Sequence, residues 1–249
     1  MQDWALITGS NLPFWNSIYI SQPSLLDLAS YFPDEHEFLK ILQLVSHNRE
    51  TLKKQLKEDI PLENNFYVLL MLLNTAISQG DNQIEQSLHK FLKLLFKDFI
   101  VDFSNSGIMI SDENETFIFI NGDNYDILQK LIHKIFCLDK LFSPNEDVPT
   151  DYNPQGDRSK RIAEMLNKRH DVLANLHKES AGKSVFANYI EILSVDLGIS
   201  LLEIRNYTLY QLMRCMERCN LFEAFDIDLK CRLAGGGSDK EVEHWRKII

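Results

Sequence analysis

A change of hydrophobic period near residue 98 is the feature that most constrains how this chain can fold. From residue 24 to residue 97, apolar side chains recur every three or four positions, as Phe38, Ile41 and Val45 do, which predicts helices. Beyond residue 98 the pattern becomes alternating or β-branched and aromatic, which predicts strands. Its positions are Phe99, Val101, Phe103, Ile108, Ile110, Phe117, Ile118, Phe119 and Ile120. The predicted fold is α+β and predominantly helical, with a three-stranded antiparallel meander at about residues 98–121.

The first 22 residues contain two short apolar pieces, at positions 4–7 and 17–20. Gly9 and Pro13 lie between them, and Pro23 ends the section. Short apolar runs separated by such turn residues predict two short strands or an extended hairpin. The pattern leaves open whether these strands share a sheet with the meander.

Several helix starts are signalled by a hydroxyl or acid placed before an apolar run. Two C-terminal signals have the full capping-box spacing, with Ser200 before Glu203 and Thr208 before Gln211. Helix breaks are expected near Pro61 and at Gly80. The other starts are Ser24 with Asp27, Asp34 with Glu35, and Asp123 with Asn124. The helix that follows Asn124 is predicted to end before Ser143 and Pro144. Its predicted buried face consists of Leu128, Leu131, Ile132, Ile135 and Phe136.

A proline-rich and acidic segment at residues 144–156 is predicted to be a linker, because it has three prolines and almost no large apolar side chain. It separates an N-terminal α+β domain, residues 1–143, from a C-terminal helical module with an exposed tail, residues 157–249. Helices are expected at 159–178, 185–197, 201–207 and 209–220, with Gly198 as a C-terminal cap. The first has a narrow apolar stripe, formed by Ile162, Met165, Leu166, Val172, Leu173 and Leu176.

The formal net charge of the 249-residue chain is -10, which argues against general binding to nucleic acid because phosphate neutralisation needs a basic face. Four scattered cysteines and the absence of a signal-peptide pattern indicate a reducing cytoplasm. The longest apolar runs, such as residues 66–73, reach only about half of the roughly 20 residues that a membrane helix needs.

Candidate chemical groups are few, and each has a structural interpretation that we prefer. Cys215 and Cys219 are spaced for one helix face but lack a second ligand pair, so we interpret them as buried small apolar residues. Asp226 and Asp228, like the acids at 34–37, are read as helix-start residues rather than as acid and base. The glycines at 235–237 lack the Gly-Lys-Ser/Thr sequence of a phosphate loop, and we interpret them as a flexible joint. We predict no catalytic, cofactor-binding or metal-binding residue, and we expect a protein that is not an enzyme.

Basic and aromatic residues of the C-terminal module are the candidates for partner binding. The basic residues of the helix at 159–178 have three possible interpretations: a strip that binds nucleic acid, the solvated face of an amphipathic helix, or a surface that attracts an acidic partner. Trp245 beside Arg246 belongs to an amphipathic tail that docks on a partner or packs back on the bundle, since Trp and Arg dominate interface hot spots. The partner-binding candidates are Arg158, Arg161, Lys168, Arg169, Tyr210, Trp245 and Arg246.

A set of short motifs in chain order resembles tail-module proteins of tailed bacteriophages that infect Gram-positive hosts. The N-terminal part of the likeness is the stretch at residues 20–28, followed by an acidic helix containing phenylalanine. The likeness is stronger after residue 150, where it is carried by Tyr152-Asn153-Pro154, Tyr207-Thr208-Leu209-Tyr210-Gln211-Leu212, Arg218, Asp226-Ile227-Asp228, Leu233-Ala234-Gly235 and His244-Trp245.

This resemblance implies a phage morphogenesis factor, most nearly a tail assembly chaperone, that acts through protein–protein contacts without a cofactor. The implied partners are other phage tail proteins, such as the tape-measure, tail-tube or baseplate hub proteins, and neither a membrane nor nucleic acid is expected. The implied location is the host cytoplasm during assembly. Two alternatives remain open, a structural virion component of the tail or baseplate hub and a nucleic-acid-binding accessory protein.

Overall fold

The described part of the chain is mixed α+β with helices predominating, which confirms the predicted fold class. A computed structural model describes residues 2–15, 18–56, 63–81, 83–104, 107–112, 117–142, 184–233 and Arg246. The helices are α1 Gln2–Thr8, α2 Leu25–Tyr31, α3 Glu35–Ser46, α4 Arg49–Leu56, α5 Asn65–Ser78, α6 Ile84–Leu95, α7 Tyr125–Phe136, α8 Leu138–Phe142, α9 Val185–Leu197, α10 Leu201–Ile204 and α11 Leu209–Leu233. The strands are β1 Leu12–Trp15, β2 Ile18–Ile20, β3 Ile100–Ser104, β4 Gly107–Ser111 and β5 Phe117–Ile120.

The predicted meander is confirmed, with strand order β3-β4-β5 and antiparallel pairing throughout. Its register places Val101 opposite Ile110, and Ile110 opposite Ile118, and all three side chains are buried. Gly107 is required where β4 begins, because its φ is +147° and a Cβ there would lie 2.5 Å from the carbonyl oxygen of Ile120. The strands β1 and β2 form a separate two-stranded sheet in the described residues.

The prediction for the N-terminus is half wrong, because residues 4–7 lie in helix α1 and not in a strand. Leu6 is buried, while Trp4 is 75% exposed. Helix α1 ends at Gly9, whose φ of +70° and hydrogen bond to Leu6 O close the last turn. A hairpin does follow, but its first strand is β1 and its second is β2, paired antiparallel.

The helix-start predictions of the first 100 residues are confirmed at the level of hydrogen bonds. Ser24 and Asp27 form a complete capping box at the start of α2. Asp34 caps α3 by accepting from His36 N at 2.9 Å. The predicted break at Gly80 falls between α5 and α6, whereas the predicted break at Pro61 lies outside the described residues.

Asn124 precedes α7 as predicted, but its side chain makes no capping hydrogen bond to the helix. It bonds instead to the backbone of residues 119 and 121, at the end of β5 and just after it. Its Nδ2 donates to Phe119 O at 2.7 Å, and its Oδ1 accepts from Asn121 N at 3.0 Å. The predicted end near Ser143 is also corrected, because α7 stops where Cys137 adopts a left-handed conformation with φ of 49° and α8 follows. The five apolar residues predicted for the buried face of α7 are all buried.

The core of the N-terminal part is an aromatic cluster between α3, α6 and α7. Phe38 on α3 lies 6.3 Å from Phe91 on α6 and 5.6 Å from Phe136 on α7, measured between ring centroids. Phe91 and Phe136 are themselves 5.5 Å apart, and all three rings are almost completely buried. Aromatic rings at these separations add attraction beyond the area that they bury.

The chain divides into two compact units. One short C-terminal segment belongs to the first unit, although the sequence places it in the C-terminal module. The first unit comprises Met1–Phe142 together with Leu202–Gln211, and the second comprises Ser143–Leu201 together with Leu212–Ile249. The predicted linker at residues 144–156 and the predicted helix at 159–178 lie outside the described residues, so both stay predictions. We call Leu202–Gln211 the strap.

Two C-terminal helices differ in length from their predictions. The helix expected at 201–207 ends at Ile204, after which the chain turns. The helix expected at 209–220 continues to Leu233, so Asp226 and Asp228 lie inside α11 and are not helix-start residues. They are instead paired one turn ahead with Lys230 and Arg232. The predicted bounds of α9, and the left-handed cap at Gly198, are confirmed.

Candidate functional site

The described part of the second unit has an apolar corner where α9 turns into α10. Gly198, with φ of +64°, ends α9, and the hydroxyl of Ser194 donates to Ile199 O at 2.8 Å, which holds the turn. Around this turn Val195 is 81% exposed, and Leu197 and Leu201 are about half exposed. We call these three residues the α9–α10 corner. They expose apolar surface on a hydrogen-bonded turn, which suits contact with another protein.

Helix α11 presents a partly exposed surface along most of its 25 residues. After Met213, no described side chain of the helix is fully buried, and Leu233 at its end is 80% exposed. Ion pairs at helical spacing cover part of the surface, including Arg214 with Glu217 at 3.0 Å and Arg232 with Asp228 at 3.3 Å. Such exposed pairs contribute little stability, typically below about 1 kcal/mol each.

The structure describes only two of the seven residues that we predicted for partner binding. Tyr210 lies in the first turn of α11 and is partly exposed. Arg246 is exposed and takes part in an interaction. The remaining five lie outside the described residues, and for them the prediction stands untested: Arg158, Arg161, Lys168, Arg169 and Trp245.

Cys215 and Cys219 on α11 do not form a reactive pair. Cys215 and Cys219 are free and half buried rather than fully buried. Burial raises the pKa of both thiols, and the Asp196 carboxylate adds to the effect at Cys219. Both thiols therefore stay protonated at neutral pH, when they are neither good nucleophiles nor good metal ligands. Among the described residues, no group of three metal-ligating side chains is found.

A hydroxyl, an acid and an amine meet between α3 and α6, but the hydroxyl is enclosed. Ser87 Oγ donates to Glu37 Oε1 at 2.5 Å, and Lys90 Nζ lies 3.3 Å from the same oxygen. Ser87 is only 3% exposed, so a substrate could not reach its oxygen. The cluster ties two helices together, and it shows that Glu37 does more than favour the start of α3.

An open groove of about 650 Å³ runs along one face of α5. Its lining includes Tyr67, Leu70, Met71, Asn74 and Thr75. None of these side chains is an acid, a thiol or a cation, so the groove offers contact surface rather than acid–base chemistry. No helix in the described part of the chain is both long and apolar enough to cross a membrane.

No local pattern in the sequence predicts the strap, because contacts between residues far apart in the chain hold it in place. Leu25 N donates to Tyr207 O at 2.8 Å, and Leu26 N donates to Arg205 O at 2.9 Å. These two N–H groups belong to the first turn of α2, which has no acceptors of its own for them. Gln211 Nε2 donates to Ile7 O at 2.6 Å, so the strap also reaches α1.

The comparisons with known proteins find a likeness for one part of the chain. A family model described as YomV second domain matches residues 178–249. That family is phage-derived, so the C-terminal part of this chain is similar to a phage-associated domain. Comparisons with curated proteins and with solved structures give no significant match.

Proposed function

We propose that this protein is a phage morphogenesis factor of the tail assembly chaperone type, which binds tape-measure or tail-tube subunits through protein–protein contacts. The observation that carries the proposal is the coincidence of two features in one segment. Residues 178–249 match a phage-derived domain, and the helices of that same segment expose the α9–α10 corner. The role needs no catalytic group and no cofactor.

The proposed mechanism is the masking of apolar surface on an unassembled subunit. A subunit that will later polymerise exposes interface residues, and large exposed apolar surface favours aggregation. The α9–α10 corner offers apolar side chains on a turn that is already ordered, which reduces the entropy lost on binding. The net charge of -10 on this chain favours solubility through repulsion between copies.

The corner is tested by replacing its three residues with serine, as Val195→Ser, Leu197→Ser and Leu201→Ser in one chain. We expect the affinity for a co-expressed tape-measure or tail-tube subunit from the same genome to fall about tenfold or more, which corresponds to at least about 1.4 kcal/mol. Binding is measured by titration calorimetry, and the soluble fraction of the subunit is measured alongside.

The matched control replaces three exposed apolar residues of the first unit, as Trp4→Ser, Ile100→Ser and Phe117→Ser. These side chains are 75%, 54% and 62% exposed and two of them are aromatic, so the control removes at least as much exposed apolar surface as the corner variant. Equal loss of affinity in both variants would show that the corner has no special part in binding.

The location of the protein separates the chaperone from a structural component of the tail or baseplate hub. We expect quantitative mass spectrometry to find the chain abundant in infected-cell lysate and missing from purified particles. A fixed copy number per particle would instead establish a structural role and remove the chaperone proposal.

A further inference from the structure

The first turn of α11 is held in the first unit by the strap. Thr208 N donates to Gln211 Oε1 at 2.8 Å, and Gln211 N donates to Thr208 Oγ1 at 3.2 Å, which completes the capping box. The same Gln211 side chain donates to Ile7 O, and Thr208 pairs with Ser24 in an antiparallel bridge. The residues that start the helix are therefore bonded to α1 and to the start of α2.

Burial in α11 is concentrated at this anchored end. Leu209 is 1% exposed and Leu212 is 0% exposed, and Met213 is still buried at 9%. From position 214 to Leu233, every described side chain is half buried or exposed. This stretch includes several residues with weak helix propensity, such as Cys219, Asn220 and Phe222.

Forming the first turn of a helix is unfavourable in free energy, because several residues are fixed for one hydrogen bond, whereas each added residue then gains a hydrogen bond of its own. A stretch in which no described side chain is fully buried therefore gains more from a nucleus formed elsewhere. In α11 the nucleus is available at one end, where the capping box and the three buried residues occur together.

We infer that the strap is a nucleating device: its attachment to α1 and α2 starts α11, so that the order of residues 214–233 depends on the first unit. The segment that matches the phage-derived family includes both the strap and α11. That segment consequently takes its helical order from residues outside its own boundaries. Any partner that binds ordered α11 also favours the attached strap, by thermodynamic linkage.

Gly9 offers a way to disturb the attachment without touching α11 directly. A Cβ at Gly9 would already contact the strap, at 3.4 Å from Thr208 Cγ2 and 3.6 Å from Gln211 Nε2, so we expect the two additional methyl groups of Gly9→Val to push against it. Gly80 provides the matched control, because its φ is also positive, at +95°, and a Cβ there would meet nothing within 4 Å. Gly80→Val therefore imposes comparable backbone strain with no effect on the strap.

The measurement is hydrogen exchange of backbone amides in the full chain, followed by mass spectrometry of peptides from 214–233. We expect exchange in that range to be at least about tenfold faster in Gly9→Val, while Gly80→Val stays at the wild-type rate and peptides from α3 and α7 stay protected in both. If Gly9→Val loses protection in α3 and α7 as well, Gln211→Glu replaces it, because a carboxylate can still accept from Thr208 N but cannot donate to Ile7 O. Faster exchange at 205–211 with unchanged exchange at 214–233 would overturn the inference, and so would an equal effect of Gly80→Val.

Discussion

A buried glutamine shows how single residues hold the first unit together. Gln129 on α7 donates through Nε2 to Val45 O and to His47 O, both at 2.9 Å, which satisfies carbonyls at the end of α3. Its Oε1 accepts from Asn65 Nδ2 at 3.2 Å, at the start of α5. Tyr125, one turn earlier on α7, points its hydroxyl at the same Val45 carbonyl.

Replacing Gln129 by leucine is expected to lower the free energy of unfolding by about 2–4 kcal/mol, because the Val45 and His47 carbonyls lose their Nε2 donor and the Val45 carbonyl keeps only the Tyr125 hydroxyl, 3.4 Å away. Urea denaturation of the full chain measures the change. Lys130→Leu, at the exposed neighbouring position, is the control and should change the free energy of unfolding by less than about 0.5 kcal/mol. A loss below about 1 kcal/mol in Gln129→Leu would contradict the role assigned to this side chain.

The buried phenol of Tyr125 is expected to make the protein less stable at alkaline pH. Burial raises the pKa of its phenol well above the usual value of 10.0, and the nearby Asp126 carboxylate adds to the shift. Because the folded state favours the neutral phenol, this contribution to stability is complete below pH 10 and decreases as the pH rises further. We expect Tyr125→Phe to be less sensitive than the wild type between about pH 10 and pH 11.5, measured by urea denaturation at each pH.

The comparison for Tyr125 is Tyr67→Phe, since Tyr67 is 45% exposed. That variant should keep the alkaline loss of the wild type. Parallel curves for Tyr125→Phe and the wild type would show that the buried phenol does not set the alkaline limit.

At the scale of elements, both outer strands of the meander have a carbonyl covered by a side chain. His89 on α6 places Nε2 2.8 Å from Val101 O on β3, and Asn124 donates to Phe119 O on β5 at 2.7 Å. Edge strands with free backbone groups invite pairing with another chain, and proteins commonly block such edges. Phe117 on β5 is 62% exposed, so this edge is the one that most needs cover.

Asn124→Ala is expected to increase self-association, because it uncovers the carbonyl of Phe119 on an apolar edge strand. Light scattering during a slow temperature ramp should rise at a lower temperature, by several degrees, than in the wild type. Asp123→Ala is the control, at an exposed position beside it. If the two variants scatter alike, the Asn124 amide does not protect the edge.

The local signals in the sequence predicted most elements correctly, and the misses have physical reasons. The caps at Ser24, Asp34 and Thr208 could be predicted because each involves only three or four residues in a row. Helix α1 was missed because seven residues ending at a glycine are too short for a helical period to stand out from a strand. Helix α11 was predicted too short because the acids at 226 and 228 also suit a helix start, and only their ion pairs place them in its interior.

At the scale of the whole molecule, contacts that join distant parts of the chain were not predictable. Nothing in the residues at 24–26 indicates that their N–H groups bond to carbonyls at 205 and 207, because a backbone acceptor leaves no mark on residue identity. The candidate site shows the same limit. The exposure of Val195 depends on where α9 turns and on what packs against it, and neither can be predicted from residue type. Trp and Arg, by contrast, were predicted to bind a partner from their residue type alone.

The strap also sets an order of events during synthesis. A ribosome adding about 5–20 residues per second needs roughly 10–40 seconds to make the stretch between Leu26 and Tyr207. Throughout that time the strap carbonyls that accept from the first turn of α2 have not yet been synthesised. The N-terminal part of the chain therefore completes these hydrogen bonds only when synthesis is nearly finished. Proteins that meet the emerging chain in this interval encounter α1 and α2 with that surface still open.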